Sequence, residues 1–315
     1  MDGTSGEKNM KYTFIVNPNS RSGMGGMIWE VIEPELMKKR VDYECFRTAY
    51  PGHATRIVRQ ITSDGREHTL VVLGGDGTVN EVLGGIEDVS KVTLGYIPTG
   101  SSNDFARGLK LPKDPQKALE VILHPGQIKK MDVGLLTRAG KERRFAVSAG
   151  IGFDAAICHQ AAVSKLKVIL NRLKLGKLTY AGIALNRLFH DKPVEAEVIL
   201  DGGEAKRYKK VYFVAAMNHP YEGGGFYFCP KALCDDRKLD VIVVSNLPKL
   251  IVLLMLPTAF KGWHVHFPGI SVFQCSEVCI RMERPLPIHT DGEPVFLRKE
   301  VKAELLKEQI RVMTA

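Results

Sequence analysis

Leu73-Gly74-Gly75-Asp76-Gly77-Thr78-Val79-Asn80-Glu81 follows a short apolar run and opens a stretch of helical spacing. Three glycines there let the backbone approach phosphate oxygens, and the helix start adds N–H donors and a positive dipole end. Asp76 would repel phosphate unless Mg²⁺ sits between carboxylate and phosphate. A tight turn with Asp76 as helix cap accounts for the Asp and one Gly, but not for all three glycines. The chemistry this set points to is phosphoryl transfer by an ATP-dependent kinase.

Two further loops have the same character. Asn17-Pro18-Asn19-Ser20-Arg21-Ser22-Gly23 ends an apolar run and offers amides, hydroxyls and a guanidinium to an anion. Pro98-Thr99-Gly100-Ser101-Ser102-Asn103-Asp104-Phe105-Ala106-Arg107 ends another, with Ser101 or Ser102 placed to cap a helix. Asp104 and Arg107, three apart, share a face of that helix, as a surface ion pair or as an acid and a cation at a site. Near the C-terminus, His289-Thr290-Asp291-Gly292-Glu293 is open to two readings. Asp-Gly suits a hairpin turn; alternatively Asp291 is a general base, with Glu293 two residues along a strand on the same side.

The elements that must position these loops come in two regimes. Tyr12–Val16, Tyr43–Arg47, Thr69–Leu73 and Val92–Ile97 read as short strands, the first and third as apolar runs, alternating with helical spacing over 27–40, 53–62 and 78–86. That βαβα rhythm predicts an open parallel sheet covered by helices, with ligands at the carboxyl ends of its strands. From about Met131 short strand candidates dominate: Asp132–Leu136, Arg144–Ala149, Val194–Leu200, Lys210–Met217, Leu239–Ser245, Glu277–Met282 and Pro294–Leu297. They predict an antiparallel, sandwich-like β domain with one inserted helical segment over 154–189. We expect a nucleotide-binding domain over 1–131 and a β-rich domain over 132–315, the extreme C-terminus packing back on the first.

Composition constrains the partners. In 315 residues, 44 Lys and Arg against 35 Asp and Glu give a net charge of +9. That favours anionic partners, either nucleotides or an acidic membrane surface. No basic face interleaved with aromatics argues for nucleic acid. The six cysteines include no CxxC pair, which fits reduced thiols better than a disulfide framework or zinc site. His264 and His266 lack a third ligand at suitable spacing. The N-terminal residues 1–11 are polar, without a signal-peptide core, and the longest apolar run, 250–256, is far below the ~20 residues needed to cross a bilayer. A cytoplasmic protein in peripheral contact with an anionic membrane is expected, through Trp263 or the basic, apolar-interleaved stretch 165–177. Oligomeric state is left open, a homodimer included.

Together these motifs resemble the soluble diacylglycerol kinase-like lipid kinases, which act on diacylglycerol, phosphatidylglycerol, sphingosine or ceramide. The likeness rests on the Asn17-Pro18 loop, the Gly-Gly-Asp-Gly-Thr turn with Asn80-Glu81, Pro98-Thr99-Gly100 with Asn103 to Ala106, Gly150-Ile151-Gly152-Phe153-Asp154 and Asp291-Gly292-Glu293. The turn alone is shared with NAD kinases. The resemblance implies ATP- and Mg²⁺-dependent transfer to a lipid hydroxyl, most simply that of diacylglycerol, with Asp291 as base and Glu293 supporting it. It implies nucleotide contacts at Asn17, Pro18, Asn19, Ser20, Arg21, Thr48, Gly75, Asp76, Gly77, Thr78, Val79, Asn80, Glu81 and Ser101. It also implies an acidic network of Asp76, Asp104 and Asp132, and a structural Mg²⁺ held by the Asp236 side chain and the carbonyls of Leu233 and Lys238. Arg237 stands where relatives carry Gly, and Met24 where they carry Lys, leaving Arg21 or Arg107 as the phosphate-facing cation. Among Lys165, Lys167, Lys174 and Lys177 the sequence does not choose. The rival activities are an NAD kinase-like small-molecule kinase and an inactive nucleotide-sensing or membrane-binding regulator.

Overall fold

The computed structural model describes residues 11–163 and 185–315. The stretch 165–177, with its four lysines, lies wholly outside the described residues. Strands β1 (Tyr12–Val16), β2 (Tyr43–Arg47), β3 (His68–Gly74) and β4 (Val92–Pro98) pair in parallel in the order β2-β1-β3-β4. Helices α1 (Met24–Lys38), α2 (His53–Thr62), α3 (Asp76–Gly85) and α5 (Pro115–Leu123) cover the sheet, with the single turn α4 (Asp104–Gly108) after β4. Two apolar clusters line its faces. Leu70, Val72, Val79, Val82 and Leu94 lie in one, and Phe14, Val16, Trp29, Val71 and Leu73 in the other. A strand buried on both faces needs the near-continuous apolar runs seen here.

The sheet is completed from afar. β5 (Gln127–Met131) is an edge strand, and β15 (Ile310–Thr314) runs between β4 and β5, parallel to the first and antiparallel to the second. No periodicity marked this five-residue run as a strand; its place is set by Ile310 and Val312, fully buried in the first cluster. The end of the chain thus closes the sheet at which it began.

The second sheet holds β6 (Gly134–Arg138), β7 (Lys141–Phe145), β8 (Ser148–Gly152), β9 (Val194–Leu200), β10 (Lys206–Met217), β11 (Leu239–Ser245), β12 (Ile270–Cys275), β13 (Glu277–Thr290) and β14 (Glu293–Leu305). All its pairings are antiparallel. β8 and β9 share the gap between β10 and β13, each occupying one end, and register shifts at 208/211 and 281/286 bend the long strands around them. Side chains such as Ile151, Val198, Val214, Val243 and Ile280 fill the enclosed core. α6 (Phe153–Val163) follows β8 directly.

Two expectations are corrected here. The single strand predicted over Arg144–Ala149 is two strands, because the amides of 146–148 turn away to a carboxylate described below. The β-rich part also holds a helix outside that predicted segment, α7 (Lys249–Ala259), where an apolar run had carried no assignment.

Ile310→Ala should cost about 2–5 kcal/mol in denaturant unfolding, as for a buried large-to-small change. Arg311→Ala, which loses only a surface pair with Glu67, should cost under about 1 kcal/mol. Equal costs would show that β15 is not part of the core.

Candidate active site at the crossing of the two sheets

The three polar loops interlock at the carboxyl ends of β1, β3 and β4. Asn17 Nδ2 donates to Thr78 Oγ1 at 3.0 Å, Ser20 Oγ lies 2.6 Å from Thr99 Oγ1, and Thr99 N–H donates to the Gly74 carbonyl at 2.8 Å. Gly75 and Gly100 pass so close that a Cβ on Gly100 would lie 2.7 Å from the Gly75 Cα. Gly100 must be glycine for the loops to cross, and a Cβ on Gly75 would press on Gly100 Cα at 3.2 Å. Thr48 is buried and bonded to the Val16 carbonyl at 2.8 Å, whereas Arg21, Asn19 and Ser101 stand exposed at the rim. Pro18 accepts the Gly26 N–H through its carbonyl at 3.0 Å, and Val79 is a core residue.

Asp76 sits at the start of α3 but does not cap it. Its two oxygens accept the Asp104 and Phe105 amides at 3.1 and 3.2 Å, so it caps α4 instead of Ser101 or Ser102. Burial, with Asp104 nearby, pushes the Asp76 acid up to about 7. Burial also raises Asp104, whose Oδ2 accepts the Gly224 amide at 2.7 Å. Asp104 Oδ1 has only the Arg107 guanidinium, 3.5 Å away, and no hydrogen-bond partner. Two under-neutralised buried carboxylates with an orphan oxygen form a donor set that fits a hard cation such as Mg²⁺. The hydrogen bonds of the Asp132 carboxylate go elsewhere, to Arg237 at 2.7 and 2.8 Å and to Gln309 at 2.9 Å. Glu81 is likewise occupied: its carboxylate accepts the Gly52 and Ala54 amides at the start of α2.

The second sheet enters at the β13–β14 hairpin. Asp291 and Gly292 are its two turn residues, with φ of 51° and 77°, so the hairpin reading holds and Asp291 and Glu293 do not share one extended strand. The Asp291 carboxylate nonetheless reaches the cleft. Its Oδ1 accepts the Val147 and Ser148 amides at 2.7 and 3.0 Å; its Oδ2 accepts the Ala146 amide at 2.9 Å and Asn80 Nδ2 at 2.8 Å. Burial raises Asp291, and these four donors oppose the rise. Arg143 orients the Asn80 amide by donating to Oδ1 at 2.7 and 3.2 Å. Glu293 is exposed directly above Gly77, where any Cβ would strike its Oε1.

Behind the hairpin lies a cluster that no local pattern announced. His289 Nε2 is 3.0 Å from Asp154 Oδ2 and 3.1 Å from Glu222 Oε1, and all three residues are buried. Gly150 lies beneath them, where a Cβ would collide with Asp154 and His289. The Gly292 amide donates to His289 Nδ1 at 3.2 Å, which places the ring proton on Nε2 between the two carboxylates. A metal ion on Nε2 would move that proton to Nδ1, against the Gly292 N–H, so the set fits a hydrogen-bonded cluster rather than a metal centre. Burial lowers His289, but Glu222 and Asp154 outweigh it and raise the ring to about 9. Burial raises Glu222 to about 7, so the two compete for one extra proton. The Gly292 N–H at Nδ1 disfavours a doubly protonated ring and shifts that proton toward Glu222. The sequence clues were His289 beside Asp-Gly and Asp154 closing the glycine motif, but Glu222 arrives from a loop 67 residues away.

At 233–238, Asp236 Oδ1 accepts the Lys238 amide at 3.0 Å, and Arg237 adopts φ 62° although it is not glycine. The Arg237 guanidinium spans Asp132 and the Leu306 carbonyl, interactions a glycine would lack. One carboxylate and two carbonyls are all-oxygen ligands, a set that suits Mg²⁺.

A parallel sheet with a glycine-rich turn, joined to an antiparallel sheet that supplies acidic groups, defines a two-domain kinase. Residues 11–136 match the diacylglycerol kinase catalytic domain, and residues 147–314 match the YegS C-terminal NAD kinase beta sandwich-like domain. The chain is 30% identical over 290 residues to the candidate lipid kinase YtlR of Bacillus subtilis, covering 89% of this chain and 92% of YtlR. It is also 30% identical over 291 residues to a diacylglycerol kinase of Mycobacterium tuberculosis, covering 90% and 88%. A candidate diacylglycerol kinase structure from Bacillus anthracis superposes with a TM-score of 0.77 at 25% identity, covering 100% of this chain and 98% of that one. An ATP-bound NAD kinase from Archaeoglobus fulgidus, TM-score 0.51 at 12% identity over 97% of this chain and 94% of that one, shares the fold. The protein belongs to the diacylglycerol kinase and YegS-like family of lipid kinases, and it is a phosphotransferase.

Glu222→Gln tests the proton assignment. An acid raised to about 7 from 4.5 contributes stability that is complete below about 4.5 and lost as pH rises through about 7. The melting temperature of the variant, which mimics the protonated acid, should fall less than the wild type's from about pH 5 to about pH 8. Parallel pH profiles in calorimetry would place the proton elsewhere.

Proposed function

We propose that the protein transfers the γ-phosphoryl group of ATP to a lipid hydroxyl, with diacylglycerol giving phosphatidic acid. The observation that carries this reading is the meeting of Asp291 with the glycine turn: Asn80, on the helix that the turn opens, bonds its carboxylate at 2.8 Å.

In this account residues 1–131 hold the nucleotide. Its phosphates lie along the Gly74–Thr78 turn, against Asn17, Ser20 and the exposed Arg21, with Arg107 as a further cation. Mg²⁺, when bound, neutralises phosphate charge, and Asp76 and Asp104 are the residues that would hold it. A structural Mg²⁺ would take Asp236 with the carbonyls of Leu233 and Lys238. Residues 132–315 present the acceptor. Asp291 takes the hydroxyl proton on Oδ2 at the position now filled by Asn80 Nδ2, which Arg143 and the Arg144 carbonyl can retain. The lipid oxygen forms its bond to the γ-phosphorus as the bond to the β–γ bridging oxygen breaks, and ADP departs with that electron pair. Glu293, above Gly77, supports Asp291 electrostatically. Phe105 and Ala106, both buried, keep water from the acidic pair.

The test is transfer of label from γ-labelled ATP in the presence of mixed lipids or NAD. Labelled lipid is expected, and Asp291→Asn should lower its rate by about 10²–10⁴. Because Asp291 also gathers four hydrogen bonds, the exposed Glu293→Gln is the companion variant, expected to lower kcat while leaving the melting temperature unchanged. Label in NADP, or in no product with Mg²⁺ present, would overturn the assignment.

A further inference from the structure

Helix α7 is apolar on both sides. Val252, Met255 and Ala259 are buried, and the first two pack into the cluster of Phe213, Met217 and Ile242. On the opposite side Leu250 and Leu254 are 62% and 63% exposed, four residues apart and so on one face, with Pro257 a turn further on. A helix apolar all round belongs in a core, yet this one lies on the surface. The chain just beyond it is also apolar and exposed: Phe260 and Trp263 are 54% and 57% exposed. Contiguous exposed apolar side chains of this size mark an interaction surface.

Charge indicates what covers it. From Asn246 to Ser276 the sequence contains no Asp or Glu, while Lys261 and His266 are exposed within it and the half-buried Lys249 donates to the Phe189 and Asp191 carbonyls. The Lys261 ammonium sits 4.6 Å from the centre of the Trp263 ring, joining an amphipathic indole to a cation at the edge of the patch. A leucine face bordered by tryptophan and lysine, with no Asp or Glu in its own segment, is complementary to an anionic bilayer: apolar groups enter the acyl boundary and cations meet phosphates.

The face also connects to the cleft. The Phe260 ring stacks on Phe226 at 4.3 Å, and the Tyr227 amide donates to the Ala259 carbonyl at 2.8 Å. Those residues end the loop whose Gly224 amide bonds Asp104 and whose Tyr221 ring lies 5.6 Å from the Arg107 guanidinium. We propose that the outer face of α7, with Phe260, Lys261 and Trp263, is the surface by which this protein docks on an anionic lipid bilayer, adjoining the loop over which the acceptor enters. The proposal rests on the lipid-kinase reading for its purpose, but its test is separate.

Vesicles of phosphatidylcholine, with and without phosphatidylglycerol, are the probe. Trp29 is only 1% exposed, so a change in tryptophan emission reports Trp263. The expected results are a blue shift and quenching by brominated lipid, stronger with phosphatidylglycerol, and co-sedimentation weakened at least about tenfold in the double variant Leu250→Glu, Leu254→Glu. Both positions are exposed, so the variant should keep the wild-type melting temperature and its rate on a short-chain acceptor in detergent micelles. Vesicle binding unchanged in the variant would overturn the proposal. So would binding indifferent to phosphatidylglycerol, or a dimer in sedimentation velocity that the variant dissociates while vesicles are not bound. A wild type that binds vesicles as described but labels no lipid would leave the docking face standing and remove the acceptor assignment.

Discussion

Four donors converge on one buried carboxylate. Asp291 holds the amides of Ala146, Val147 and Ser148 and the side chain of Asn80, and much of the architecture follows from that grip. It interrupts what would be a single strand, so that β7 and β8 separate. It fixes the tip of the β13–β14 hairpin, whose two turn residues have positive φ. It also fastens the second sheet to α3, the helix launched by the glycine turn. Burying a carboxylate is costly unless its hydrogen-bonding capacity is met. The same bonds that meet it bring that carboxylate and the glycine turn into one cleft.

The first sheet handles its own charges by a related rule. Acidic side chains near the cleft serve the starts of neighbouring helices: Asp76 serves α4, and Glu81 serves α2. Carboxylates at helix starts satisfy orphan amides and complement the dipole. What remains at the glycine turn is backbone, brought close by the Gly75–Gly100 crossing. In the proposed reading phosphate recognition there is a property of chain path, and any side chain at Gly100 would act by forcing two backbones apart.

The parallel sheet was legible in the sequence because strands buried on both faces must be apolar throughout, as Thr69–Leu73 is. The hairpin was legible because Asp-Gly accepts left-handed φ at both positions. Other features depend on partners distant in sequence. Residues 310–314 become a strand only because a slot exists between β4 and β5. Asp76 was readable as a cap, but not as the cap of a helix 28 residues ahead. Glu222 joins His289 and Asp154 through folding alone, and nothing in Tyr221-Glu222-Gly223 marks it as one of a buried triad. Local patterns gave the elements and the loops that carry chemistry; side-chain pairings across elements required the fold.

The central claim is that donor phosphates occupy the glycine turn within reach of Asp291. Amide hydrogen exchange followed by mass spectrometry, with and without ATP and Mg²⁺, addresses it directly. The account predicts slowed exchange in peptides covering 74–81 and 98–107, with a smaller effect at 146–148, where amides are already held by Asp291. Protection absent from the first two segments, or confined to the second sheet, would contradict it.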